Sequence, residues 1–272
     1  MTPNPSASPV CKVRLRYAKR GKLRFTSHRD IARAFERALR RCALPMAYSQ
    51  GFSPHPKVSW VGAAPTGAAS EAEYLEIQLV QYRDPEMVRA ALDAALPEGL
   101  TVLEGVLAGP GGFAERIEAS AWSIEVRGVS REQLQQAVQQ LLASPTLLVE
   151  RLTKDGRRTI DARAAIVSLE VEDPPTVPPA PDRRSQCGIL IAVVRQASPA
   201  VRPDDVLSAL GAGAGIPAPV LVKAIRTAQG RIGDDGGLVD PLAADRAAAR
   251  LALMESDDGS DQHGVADTSA GR

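Results

Sequence analysis

Residues 13–45 read VRLRYAKRGKLRFTSHRDIARAFERALRRCALP, and a change of period within them decides the fold. In the first seven, apolar and basic side chains alternate. Val13, Leu15 and Tyr17 fall on one face and Arg14 and Arg16 on the other, which is the two-residue period of a β-strand. From Ser27 onward the spacing lengthens to three and four. Ile31, Ala34, Phe35, Ala38, Leu39 and Cys42 recur as the stripe of an amphipathic helix, which Ser27 is placed to cap; Asp30 can return the bond, and Pro45 closes the segment.

Outward from this strand and helix come a hairpin-like stretch (46–61), the loop GAAPTGAAS (62–70), an alternating strand AEYLEIQLV (72–80), a capped helix DPEMVRAALDAAL (84–96) and a strand LTVLEGVL (100–107). The order β-α-β-β-α-β is that of the split βαβ, ferredoxin-like arrangement, in which both helices cover one face of a four-stranded antiparallel sheet. The second half is expected to repeat it. Strands are predicted at 122–128, 146–154, 165–172, 188–196 and 219–227 and helices at 130–143 and 203–210. An extra turn falls near DARAA (161–165), and the proline-rich DPPTVPPAPDRRS (173–185) lengthens one loop. The expected fold class is therefore α+β, with two tandem ferredoxin-like units at 11–108 and 121–228 and helices on one face of antiparallel sheets. A Gly-rich linker (109–120) joins the units. Residues 1–10 are expected to be disordered, as is most of an acidic tail (229–272), apart from a helix at 241–255.

Length and charge bound what the chain does. Its 272 residues, 44% of them hydrophobic, suffice for two cores, and no apolar run approaches the roughly 18–20 residues of a membrane span. The first ten residues lack the regions of a signal peptide, so the expected compartment is the cytoplasm. Cys11, Cys42 and Cys187 lie too far apart for a disulfide framework or for C-x-x-C metal spacing, and no metal is expected on this chain. Residues 11–41 carry twelve Lys and Arg against two acids, whereas residues 230–272 carry four against nine. A basic front attracts phosphate polyanions; a solvated helix face is the plainer reading.

Three constellations are candidates for chemistry. On the predicted helix, Arg29, Arg33, Arg37 and Arg40 lie opposite the apolar stripe, and arginine forks suit phosphate oxygens; His28 sits in the first turn, at the edge of that stripe. In AYSQGFSPHPKVSWV (47–61), Pro54 and Pro56 stiffen the backbone around His55. That presents an imidazole to a ligand alongside Tyr48, Ser49, Gln50, Gly51, Phe52 and Lys57, or merely to solvent. In GAASEAEY (67–74), Ser70, Glu73 and Tyr74 open a strand, where cross-strand pairing with Arg14 and Arg16 also accounts for Glu73, Tyr74 and Glu76. His28, the 48–57 loop and the 70–74 segment are expected to meet in one pocket. The Walker, nucleophile-elbow and zincin motifs are absent, as are the stacking aromatics of an RRM sheet. GAGAG (211–215) lacks a preceding strand and reads as a loop.

RFTSHRDIARAFERALRRCALPMAYSQGFSPHPKVS (24–59) followed by GAASEAEYLEIQL (67–79) closely resembles the radical-SAM-linked proteins, a bacterial family known as domain of unknown function 2344. The resemblance is specific over 12–80 and extends to about 228, leaving the acidic tail outside. Its patterns fall here on Ser27, His28 and Asp30, on Tyr48 to Phe52 with Pro54, His55 and Pro56, and on Ser70, Ala72, Glu73 and Tyr74. What it implies is a radical SAM enzyme as partner, with S-adenosylmethionine and an iron–sulfur cluster on that partner. This chain lacks C-x-x-x-C-x-x-C and is expected to bind no cofactor itself. The leading functional expectation is an accessory or substrate-recognition protein acting on RNA or another phosphorylated substrate, with Ser27, His28, Arg29, Asp30 and Arg33 among the ligand contacts. The alternatives are a metal-independent RNA-processing enzyme using His28, His55 or Glu73 as acid and base, and an assembly scaffold.

Overall fold

A computed structural model describes residues 8–153, 156–172, 187–214 and 220–258. Most of the expected N-terminal disorder, the proline-rich loop and the end of the acidic tail lie outside the described residues. The fold is mixed α+β, with six helices and a nine-stranded, mostly antiparallel sheet among the described residues. No helix among them is long and apolar enough to cross a membrane.

In the first half, β1 (Cys11–Lys19), α1 (His28–Arg41), β2 (Val58–Val61), β3 (Ala69–Leu79), α2 (Pro85–Ala95) and β4 (Leu100–Leu107) follow the predicted order. β1 lies between β4 and β3, antiparallel to both, and β2 pairs with β3. The α1 face of the sheet holds a core of Tyr17, Phe35, Leu39, Leu75 and Leu92. The second half contains β5 (Ala119–Arg127), α3 (Arg131–Ala143), β6 (Leu148–Thr153), β7 (Gly156–Asp161), α4 (Ala162–Ala165), β8 (Ile166–Glu172), β9 (Cys187–Arg195), α5 (Pro203–Ala214) and β10 (Val220–Ile232). Trp122, Ile124, Leu134, Leu141, Leu190 and Leu207 form its core. The strand expected at 146–154 does not enter the sheet; as β6 it folds back on β7 as a separate hairpin, and β8 takes the place beside β9.

The halves share one sheet. β10 pairs antiparallel with β5 and, through Ile225 and Arg226, parallel with Ala69 and Ser70 of β3. Three expectations are corrected here. Segment 109–120 is more than a linker: Phe113 and Ile117 are buried with Tyr74 and Val106 on the sheet face opposite α1, and β5 begins at Ala119. Residues from 229 are not mostly disordered within the described span, since β10 runs to Ile232, β11 (Leu238–Val239) pairs with it and α6 (Ala243–Asp258) follows. GAGAG is not a loop up to Ala214, because α5 continues through it.

The physical reason for the order of residues 229–258 lies in β1. Its "outer" residue Arg14 is only 1% exposed, held by Glu76 (Nε to Oε2, 2.9 Å) and by both carboxylate oxygens of Asp245 in α6 (2.8 and 3.0 Å). Asp245 also accepts bonds from Arg116 (2.9 Å) and from the Gly109 backbone N–H (2.8 Å), while Leu242 packs with Phe113. A buried cation of this kind requires partners, and the tail and the 109–117 segment supply them.

Candidate functional site

Ser27 has extended backbone and caps α1. Its hydroxyl accepts from the Asp30 N–H (3.3 Å) and donates to the Asp30 carboxylate (2.6 Å). That hydroxyl bond, followed by the nearby Arg33 and Arg29 guanidiniums, holds the Asp30 carboxyl below its usual range. Ser27 and Asp30 thus serve the start of the helix, and Arg33 reaches Asp30 at 3.4 Å. Burying Ile31, Phe35 and Leu39 leaves Arg29, Arg33, Arg37 and Arg40 exposed along the opposite side. Arg29, Arg37 and Arg40 make no ion pair or hydrogen bond among the described residues. Just before the helix, Arg24 lies over the ring of Phe25, 4.6 Å from its centroid, and that phenylalanine is 61% exposed.

His28, the first residue of α1, is exposed and packs edge-on against Trp60 of β2 (5.2 Å, 86°). Trp60 in turn meets Phe35 and Tyr17. An aromatic run therefore leads from the exposed histidine to the floor of the first core.

The 48–57 loop is closed by Ser49, whose backbone N–H donates to the His55 carbonyl (2.8 Å) and whose hydroxyl accepts from the His55 N–H (3.0 Å). Lys57 and Ala47 continue the pairing, and Gly51 takes φ +129° at the turn, a value a side chain would strain. Gln50, Phe52 and His55 project to solvent, with Phe52 fully exposed. At the base of the loop, Tyr48 and Pro56 line a cleft of about 240 Å³ together with Glu36, Leu39 and Arg40 of α1.

The 70–74 segment divides. A bulge sets Tyr17 opposite Glu73 but Lys19 opposite Ser70, so Ser70 and Glu73 share one face although three residues apart. Both are buried under the 62–68 loop, where Glu73 pairs with Arg226 of β10 and accepts from the Ala64 N–H (3.1 Å). Ser70 accepts from the Ala72 N–H (3.2 Å) and from Arg226 Nε (3.3 Å). Lys19, 3% exposed, donates to the Pro65 carbonyl (3.4 Å), and burial pushes its pKa down. Burial, aided by the Glu73 charge, pushes the Tyr17 hydroxyl well above its usual range. Tyr74 faces the other way, edge-on to Phe113 (5.8 Å). Glu73 therefore lies within a buried seam between the halves, whereas Glu76 is the residue that pairs with Arg14, as cross-strand pairing predicts.

The expected single pocket is thus spread over three places: His28 on Trp60, Tyr48 and Pro56 beside Arg40, and Ser70 with Glu73 at the seam. Sequence reasoning missed Arg226 and Lys19 at the seam. Neither stands out in the sequence, because β1 and β10 each carry several other charged or polar residues. Among the described residues no group of three or more His, Cys, Asp or Glu side chains is arranged to hold a metal ion.

No curated protein matches the chain in sequence. Among solved structures, a chain of a crystal structure of a Cbf5-Nop10-Gar1 complex is similar at TM-score 0.45 and 9% identity, over 90% of this chain and 56% of that one, so this chain spans little more than half of its length. Residues 12–203 match the family described as "uncharacterized protein conserved in bacteria (DUF2344)", and the chain belongs to that family.

Proposed function

We propose that the chain is a cytoplasmic substrate-recognition partner of a radical SAM enzyme, and that it engages RNA or another phosphorylated substrate through the exposed face of α1 and the 48–57 loop. S-adenosylmethionine and the iron–sulfur cluster belong to the partner in this reading. The observation that carries it is the uneven satisfaction of the basic front. In β1, Arg14 is buried between Glu76 and Asp245, Lys12 reaches Glu76 from the surface, and Arg16 and Lys19 donate to backbone carbonyls, while Arg29, Arg37 and Arg40 of α1 remain without ion pairs or hydrogen bonds among the described residues. An arginine row that begins next to exposed Phe25 and His28, with Phe52 exposed on the loop that follows the helix, offers charge for phosphates and rings for unstacked bases. The radical SAM link rests on the motif resemblance at 24–59 and 67–79.

The same reading takes the two halves as tandem ferredoxin-like units. β4-β1-β3-β2 and β10-β5-β9-β8 follow one strand order, with the β6–β7 hairpin as an insertion in the second.

Crosslinking and affinity capture from the native cell, reading RNA and protein together, tests the proposal. Both RNA and a radical SAM enzyme are expected with the unmodified chain, and RNA alone is expected to be lost with Arg29→Glu/Arg33→Glu. Recovery of neither would contradict it.

A further inference from the structure

Beside the buried Glu73–Arg226 pair, a cleft of about 370 Å³ opens between the 62–65 turn and the segment leading from β9 into α5. Its chemistry is two-sided. Val194, Val201 and Trp122 supply an apolar wall, and Arg195, Arg202 and Arg226 supply guanidiniums. Arg226 is immobilised: Nη2 pairs with Glu73, Nε donates to Ser70, and the guanidinium lies over the Trp122 ring, 5.6 Å from its centroid. Its Nη1 makes no hydrogen bond among the described residues. Arg195 is matched by Glu118 (2.5 Å), but the exposed Arg202 side chain has no ion pair or hydrogen bond among the described residues. Gly62 makes room at the rim: at φ +59°, a Cβ there would come within 2.5 Å of the Gln229 amide oxygen.

We propose that this cleft is a second ligand site, separate from α1, for a phosphorylated small molecule of mononucleotide size. A cavity of this volume is in the range that encloses a small ligand. A phosphate placed between Arg202 and Arg226 Nη1 takes the unmatched donors, and a planar base fits against Val194, Val201 and the guanidinium–indole stack, since arginine planes stack on ring systems as readily as they bond phosphates.

Calorimetric titration of the full chain with adenosine 5′-monophosphate, inorganic phosphate and adenosine tests the assignment. The nucleotide is expected to bind, and phosphate and adenosine each more weakly. Arg202→Gln is expected to weaken nucleotide binding about tenfold, the loss of one charge-assisted hydrogen bond. Ala197→Phe, which fills the cleft from an exposed position, is expected to abolish it. Arg33→Glu on α1 is expected to leave it unchanged, which separates this site from the proposed RNA surface. Absence of nucleotide binding up to millimolar concentration, or equal affinity in the unmodified, Arg202→Gln and Ala197→Phe proteins, would overturn the site. Phosphate binding as tightly as the nucleotide would overturn the nucleotide assignment.

Discussion

Asp245 holds two arginines and a backbone N–H with one carboxylate whose side chain has no access to solvent. Replacing it by alanine strands Arg14 in the interior, so Asp245→Ala is expected to cost about 3–5 kcal/mol in denaturant unfolding. His55 makes the opposite prediction. Its ring is exposed on a turn, and His55→Ala should change stability by no more than about 0.5 kcal/mol, while Phe35→Ala in the first core should cost about 3–5 kcal/mol. Burial raises the hydroxyl pKa of both Tyr17, where Glu73 adds to it, and Tyr74, where Asp240 adds to it. Two of the four tyrosines should therefore ionise only beyond the usual range in an alkaline absorbance titration. The sign follows from linkage: a folded-state pKa above the unfolded value keeps the proton on the folded chain, so their contribution is intact below about pH 10 and is lost as pH rises above it. Lys19, lowered by burial, acts in the opposite sense and offsets part of that loss. Phe35 and His55 were legible in the sequence, from the helical stripe and the flanking prolines, but the Arg14–Asp245 contact was not. Alternation in 13–19 assigns Arg14 to the polar face, but it carries no information about what lies over that face, and Asp245 among alanines and arginines reads as a surface acid.

Elements whose signals are local were read correctly. α1 begins at the Ser27 cap and buries the predicted stripe, and α2 begins with Asp84 accepting from the Glu86 and Met87 N–H groups. Elements set by distant contacts were not. β6 alternates like a sheet strand yet, among the described residues, pairs only with β7, with Leu148 and Leu152 exposed, because β8 occupies the sheet position. The glycines after Leu210 read as a loop, but α5 runs through Gly213, where a Cβ would meet Leu147 at 2.8 Å. Close approach to a neighbour explains that glycine better than helix breaking does. A chain ending at Asp240 loses Leu242 and the Asp245 ion pairs, and it should melt well below the full chain while gaining exposed apolar surface, measured by dye binding. An unchanged melting temperature would show that α6 is not part of the core.

Across the whole molecule, β10 is the strand that makes two halves into one sheet, since it pairs with β3 on one side and β5 on the other. Most of the individual strands and helices were visible in the sequence, but the join was not, because a parallel contact between residues 69–70 and 225–226 leaves no local pattern. The same long-range pairing sorts the charges. It neutralises Arg14 of β1 and, at the seam, Arg226, and leaves the arginines of α1 facing solvent. In the proposed function this exposed face takes a phosphate backbone, and the salt dependence of single-stranded RNA binding measures that contact. For the unmodified chain, log affinity should fall linearly with log salt. Reversing Arg29, Arg37 and Arg40 to glutamate should reduce that slope by about 2, at roughly 0.7 for each phosphate deprived of its arginine. An affinity that is unmeasurable at low salt, or a slope that the triple substitution leaves unchanged, would contradict the account.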